Sequence, residues 1–201
     1  NYFNRLPLSV YYSSKEINSN YIFFLSTLWY SNEINNNDEG VNRRRANFVE
    51  VCKELHSCNF EGGLVGDDSS SSQLFLDSIT TMRVPLNKWI EKTKQSTFVF
   101  NTPAFWDCHG WKLGEYLAMG KAIITTPLSN DLPAPLVHGF HVHVIKDGSK
   151  ESIKEAILLL LQNPEYRFFL EKNAREYWDK YGTPGKSLML LGIHRNDREL
   201  K

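Results

Sequence analysis

The sequence predicts an α/β domain built on a doubly wound parallel sheet. Three observations predict it. Short apolar runs at 21–25, 60–65, 97–100 and 122–125 have the continuous hydrophobicity of strands buried on both faces. Stretches with helical spacing of apolar residues lie between them. The two kinds alternate along the whole chain, as strands joined by helical crossovers do.

Each element follows in order. Residues 6–12, Leu-Pro-Leu-Ser-Val-Tyr-Tyr, read as an edge strand or as the tail of a preceding domain. The 21–25 run is the first buried strand, and the Asn-rich, acidic 32–39 stretch is a loop. A helix is expected over about residues 42–55, where Phe48, Val49, Cys52 and Leu55 recur at helical spacing. Arg43, Arg44 and Arg45 open it, and a solvated helix end is their expected setting. Residues 60–65 form a second strand, softened by Gly62 and Gly63, and the serine-rich 67–72 stretch is a loop. A helix over 84–94 carries Pro85 in its first turn.

The third strand, 97–100, leads into segment 107–124, which reads as loop, short helix, tight turn and strand. A loop with Pro127, Pro133 and Pro135 precedes a short alternating strand over 141–145. Ile153, Ala156, Ile157, Leu160 and Leu161 stripe one helix. Asn163-Pro164 starts the next, striped by Tyr166, Phe169, Leu170, Tyr177 and Trp178. Gly182, Pro184 and Gly185 break it, and residues 188–191 suggest a terminal helix.

With 201 residues, 41% of them hydrophobic, the chain can bury a sizeable core. Its charges balance to zero, which disfavours nucleic acid as a partner. Cys52, Cys58 and Cys108 are an odd number without a CxxC, the pattern of reduced thiols in the cytoplasm. The longest apolar run, 156–161, is too short to span a bilayer, so no transmembrane segment is expected. The chain starts at Asn1 rather than Met and is expected to be a fragment.

The chemistry is expected where the third strand meets the short helix near Gly110. In open parallel sheets ligands bind at the carboxyl ends of strands. A helix N-terminus offers unpaired N–H groups and partial positive charge, which suit a phosphate or diphosphate. Gly110 lets an anion approach the backbone. Lys112, in the first turn, opposes the helix dipole, and a bound anion would offset that conflict. Glu115 shares a face with Lys112, at a depth where a carboxylate could accept ribose hydroxyls. A plain surface Lys–Glu pair is the competing reading of the same spacing.

The segment Asp107-Cys-His-Gly-Trp-Lys-Leu-Gly-Glu115-Tyr-Leu-Ala-Met-Gly-Lys-Ala-Ile-Ile124 resembles the hallmark of group 1 GT-B glycosyltransferases. That hallmark is E-G-F-G-x-x-x-x-E-A-M-A-x-G-x-P-V-I, with a variant K-x-x-E-Y-x-A-x-G-K-P-I-I. Asp107 stands at the first Glu, and Gly110, Glu115, Ala118 and Gly120 match. Lys112, Tyr116, Lys121, Ile123 and Ile124 fit the variant. Asp107 is one methylene shorter than Glu, Cys108-His109 replaces Gly-Phe, and Ala122 replaces Pro. The segment after the first strand, 26–29, lacks the family's Gly-Arg start.

The resemblance implies a Rossmann-like half of a GT-B enzyme, covering roughly residues 20–182. It divides the chain into a 1–20 linker or domain remnant, a 21–182 nucleotide-sugar-binding domain and a 183–201 C-terminal helix and tail. It implies that Glu115 binds the donor ribose and that Asp107, with Lys112 one of the two catalytic residues, touches the transferred sugar or steadies its charge. The helix N-terminus at Gly110 would hold the diphosphate with Lys112, and His109 would contact the donor. The donor would be a UDP- or GDP-linked sugar, used without metal or other cofactor. Hexose would pass to a glycan or lipid-linked glycan held by a missing N-terminal domain. The expected location is the cytoplasm, at the inner face of the membrane for a lipid-linked acceptor. The fragment alone is expected to bind nucleotide weakly and to transfer no sugar.

A second reading is a non-catalytic Rossmann-like module that binds a partner protein. A dinucleotide oxidoreductase is disfavoured because no GxGxxG follows the first strand. His141 and His143, without a third ligand, make a poor metal site. Cys108 lacks an evident activating base. Trp106 and Trp111 flank the loop, where core packing is favoured over stacking on a base.

Overall fold

The computed structural model describes residues 7–12, 19–28, 36–66, 73–104 and 107–190. The expected loop at 67–72, Trp29, Trp106 and Leu191 lie outside them. The elements in chain order are α1 (Leu8–Tyr12), β1 (Tyr21–Thr27), α2 (Asn36–Glu54), β2 (Asn59–Val65) and β3 (Ile79–Thr80). Then come α3 (Leu86–Gln95), β4 (Val99–Asn101), α4 (Trp111–Ala118), β5 (Ile123–Thr125) and β6 (His143–Val144). The chain closes with α5 (Lys150–Gln162), α6 (Pro164–Tyr177), a π-helical turn (Trp178–Gly182) and α7 (Pro184–Leu190).

All the strand pairs are parallel. β1 runs beside β2 from Tyr21 opposite Asn59 to Thr27 opposite Val65, and β2 pairs with β3. β5 lies between β4 and β6. The two ladders meet at β1 and β4: the Thr97 N–H donates to the Tyr21 carbonyl (2.7 Å), and the Phe23 N–H donates to Ser96 Oγ (3.0 Å). The spatial order is therefore β3-β2-β1-β4-β5-β6, and the direction of winding reverses between β1 and β4.

Alternation along the strands splits the core into two layers. Ile22, Phe24, Phe100 and Ile124 face α2 and α5, where Phe48 stacks on Phe100 with ring centroids 4.3 Å apart. Tyr21, Phe23, Val99 and Ile123 face the other way, onto α1, α3, α4 and α6. Helices on both faces make the sheet doubly wound, as the sequence predicts.

Several elements differ from their expected bounds. Residues 8–12 form a helix, not an edge strand: α1 docks by burying Tyr11, and Lys94 Nζ donates to the Val10 carbonyl. α2 begins at Asn36, so part of the expected Asn-rich loop is helical and the arginines lie within the helix instead of opening it. β3 has two residues, too few to leave a sequence pattern. Pro85 is the N-cap of α3, and Pro184 starts a helix as well as ending one. The 141–145 strand shrinks to His143–Val144. Gly62 is required where it stands: its φ is +131°, and a Cβ there would lie 1.9 Å from the Phe24 carbonyl oxygen.

Candidate functional site

The site grows from the loop between β4 and α4. The loop closes on itself through a bond from the Ala104 N–H to the Cys108 carbonyl (2.8 Å). Asp107 is held at φ +54°, a left-handed conformation costly for a residue with a Cβ. Asn130 Nδ2 donates to the Asp107 carbonyl (2.9 Å) and helps to fix it. α4 then opens at Gly110 without a hydrogen bond from any capping side chain. The Leu113 N–H donates to the Gly110 carbonyl (3.1 Å), and the end of α4 carries the partial positive charge of a helix N-terminus.

A cavity of about 460 Å³ lies at the carboxyl ends of β1 and β4, where the winding reverses. Phe24 and Phe100 line it from the sheet, and Ser26 and Thr102 stand at the two strand ends. His109, Gly110 and Lys112 line it from the loop and α4. Its size falls within the range of small-ligand sites. Ser26 and Thr27 belong to β1 rather than to the loop expected after it.

Arg45 is the charge that sequence reasoning misplaced. It is 5% exposed, not solvated, and its fork spans the reversal point. Nε donates to Thr102 Oγ1 (2.9 Å), one terminal nitrogen to the Thr27 carbonyl (3.0 Å) and the other to the Pro103 carbonyl (3.1 Å). Burial lowers its pKa to about 10, so it stays charged at neutral pH. A signal existed: Val41, Arg45, Phe48, Val49 and Cys52 follow helical spacing, which puts Arg45 on the apolar face.

The structure brings Gly110, His109 and Lys112 together on this cavity. Lys112 Nζ donates to the Leu25 carbonyl (2.7 Å) and lies 5.3 Å from the centre of the Phe24 ring. His109 Nε2 lies 2.8 Å from the Asn130 carbonyl and must carry the proton there, because a carbonyl only accepts. Cys108 is the exposed thiol; Cys52 is buried and Cys58 half-buried.

Asp107 and Glu115 lie elsewhere. Asp107 lines a neighbouring cavity of about 310 Å³ with Arg44, Ser129 and Lys146. Glu115 is buried under α1, where the Tyr11 hydroxyl donates to its Oε1 (3.0 Å), and it lines none of these cavities. Glu115 lies about one turn along α4 from Gly110, and α1 covers that face. The resemblance gave no sign of α1, which lies outside the motif.

The remaining candidates separate as follows. Trp111 is half exposed, contrary to the core packing expected of it. Arg43 lies over the Phe75 ring, 4.6 Å from its centre. His141 and His143 do not share a strand; His143 packs on His138 instead, with ring centres 5.0 Å apart. A third cavity, about 390 Å³, shares Cys108, His109 and Gly110 with the first and is walled by Tyr177, Trp178 and Tyr181. No described helix is long and apolar enough to cross a membrane.

No family model and no curated protein sequence matches the chain. Solved structures do. The C-terminal domain of a group 1 family glycosyl transferase, LpcC from Francisella tularensis, superposes with a TM-score of 0.60 at 12% identity. That match covers 89% of this chain and 99% of that one. A glycosyltransferase from Rickettsia africae gives 0.59 at 14% identity, covering 87% of this chain and 46% of that one. MnaA from S. aureus, solved with UDP, gives 0.50 at 15% identity with the same two coverages, 87% and 46%. The chain thus spans all of an isolated C-terminal domain and under half of the longer proteins. Parallel strands in this order, helices on both faces and these superpositions give the chain the Rossmann-like fold of the C-terminal domain of group 1 GT-B glycosyltransferases.

Proposed function

We propose that the chain is the donor-binding half of a glycosyltransferase, which moves a hexose from a nucleoside diphosphate sugar to an acceptor held by a second domain. The cavity at the β1–β4 reversal supports this reading, because the N-terminal end of α4, Lys112 and the buried Arg45 charge line it. The diphosphate would sit against the first N–H groups of α4. As the bond between the sugar and the diphosphate breaks, negative charge grows on the leaving oxygen. Lys112 and the helix end would stabilise it electrostatically, without cofactor or metal. His109 would donate or accept at the cavity rim, and Asp107, across the loop, would face the transferred sugar. A ribose role for Glu115 requires Tyr11 to leave it, so the proposal rests on the cavity and not on that carboxylate.

Calorimetric titration with UDP and with GDP tests the reading. One of them binds this chain saturably and weakly, and Lys112→Met reduces the affinity by about tenfold, the value of one charge-assisted contact. The chain alone transfers no sugar. One observation favours the second reading, a partner-binding module without catalysis: Glu115 is engaged by Tyr11. Failure of both nucleotides to bind at millimolar concentration selects that reading.

A further inference from the structure

Two cysteines meet where α2 ends. Cys52 lies in the last turn of the helix, 1% exposed, in the same apolar layer as Phe48 and Val49. Cys58 lies in the turn that leads to β2 and is half-buried. That turn folds the chain back on the helix: the Leu55 N–H donates to the Val51 carbonyl (3.0 Å), and the Cys58 N–H donates to the Leu55 carbonyl (3.2 Å). The Cys58 thiol is thereby brought over the helix end, where it donates to the carbonyls of Cys52 (3.2 Å) and Leu55 (3.3 Å). The Cys52 thiol in turn hydrogen-bonds to the Cys58 sulfur.

The two thiols differ in the way a reactive pair requires. The Cys52 thiol lowers the pKa of Cys58, against the effect of burial. Burial, and after it the Cys58 thiol, raise that of Cys52. Cys58 is therefore the thiolate former, and it is the one that solvent reaches. Cys52 is closed to solvent and has Cys58 beside it. The turn between them can move, because Glu54, His56 and Ser57 are exposed. Cys108 does not compete within one chain. It follows the carboxyl end of β4, whereas Cys58 precedes the amino end of β2, and in a parallel sheet these are opposite ends.

We propose that Cys52 and Cys58 form a reversible oxidation site for hydroperoxides, in which Cys58 reacts first and Cys52 closes a disulfide across residues 53–57. In the first step the Cys58 thiolate attacks one peroxide oxygen. An S–O bond forms, the O–O bond breaks, and the second oxygen leaves as water or an alcohol after taking a proton. The sulfur is oxidised to a sulfenic acid and the peroxide is reduced by two electrons. In the second step the Cys52 sulfur attacks the Cys58 sulfur. The S–S bond forms, the Cys52 proton passes to the sulfenic oxygen, and water departs. The pairing diverts Cys58 from irreversible oxidation. The proposal is independent of the donor-binding reading.

The test treats the whole folded chain, carrying Cys108→Ser to silence the exposed thiol, with hydrogen peroxide at neutral pH. The mass falls by about 2 Da as two thiol hydrogens are lost. Peptide mapping places one bridge between Cys52 and Cys58, and dithiothreitol reverses it. With Cys52→Ala added, Cys58 is trapped as a sulfenic acid by dimedone and otherwise proceeds to a sulfinic acid that dithiothreitol does not reduce. With Cys58→Ala added, Cys52 remains a thiol. Oxidation of Cys58 to the sulfinic acid with Cys52 still present and reduced overturns the proposal. So does a bridge that forms only when urea has unfolded the chain. The mapping on the chain with both cysteines decides the matter even if Cys52→Ala does not fold.

Discussion

The Tyr11 hydroxyl donates to Glu115 Oε1 across 3.0 Å, and each of these side chains is 1% exposed. The bond joins the first described helix to the centre of the motif helix, more than a hundred residues on. It anchors α1, which is held also by Lys94 on the Val10 carbonyl and by the Trp178 indole on the Tyr12 hydroxyl.

Tyr11→Phe keeps the ring and removes one donor from a buried carboxylate. The expected loss is about 1.5–3 kcal/mol, the worth of a hydrogen bond to a charged group. Thermal unfolding should fall by roughly 3–10 °C for a domain of this size. If α1 also competes with ribose for Glu115, the same variant binds UDP or GDP more tightly; calorimetry beside the melting curve separates the two effects.

Arg45 ties the ends of β1 and β4 through three carbonyl or hydroxyl acceptors. Arg45→Met strands those acceptors in the interior and should cost about 2–4 kcal/mol. Arg45→Lys restores the charge but not the planar fork, so it should recover only part of the loss. Urea denaturation of the three proteins checks the order.

Two glycines should respond in opposite ways. Gly62→Ala drives a Cβ into the Phe24 carbonyl at 1.9 Å and should break the β1–β2 pairing, yielding little folded protein. Gly110→Ala meets only the Ala104 Cβ at 3.8 Å, in a backbone conformation open to any residue. It should cost about 1 kcal/mol or less as an N-cap change, yet weaken nucleotide binding by crowding the anion. Circular dichroism and titration read the two outcomes.

Stability should fall on the acid side. Burial, followed by the nearby His138, holds His143 below its ordinary value of 6.5, and burial does the same to His141. Both groups bind protons more weakly in the fold than in the unfolded chain. As pH falls through 6.5 the unfolded state is protonated first, so stability is complete above that pH and is lost below it. The Tyr166 hydroxyl 3.1 Å from His143 Nδ1 completes the neutral arrangement. Denaturation midpoints at about pH 7.5 and about pH 5.5 should differ less in His143→Gln than in the parent chain.

The fold was legible because buried parallel strands announce themselves. Four apolar runs located β1, β2, β4 and β5 to within a few residues, and the Asn163-Pro164 pair marked the start of α6, where the Asn163 side chain accepts from the Tyr166 N–H. What escaped was short or lay against the local grain. β3 is a two-residue strand that exists only through β2. The first turns of α2 are Asn-rich and acidic, which local propensity assigns to a loop, but the apolar stripe beginning at Val41 supports the helix from within. α1 is five residues long and owes its form to docking against α3 and α4. In the site, the motif pointed to the junction of β4 and α4, and Gly110, His109 and Lys112 line the cavity there. The motif could not show that Asp107 turns to a different cavity, because that depends on a left-handed φ. Nor could it show a contact between Glu115 and a residue so distant in sequence.

The loop wall shared by two cavities carries the exposed thiol of the chain's three cysteines. Cys108 is thereby a natural attachment point for an environment-sensitive fluorophore. A dye fixed there would sit on the partition between the cavity at the β1–β4 reversal and the aromatic-walled one, and its emission would register whichever side fills first.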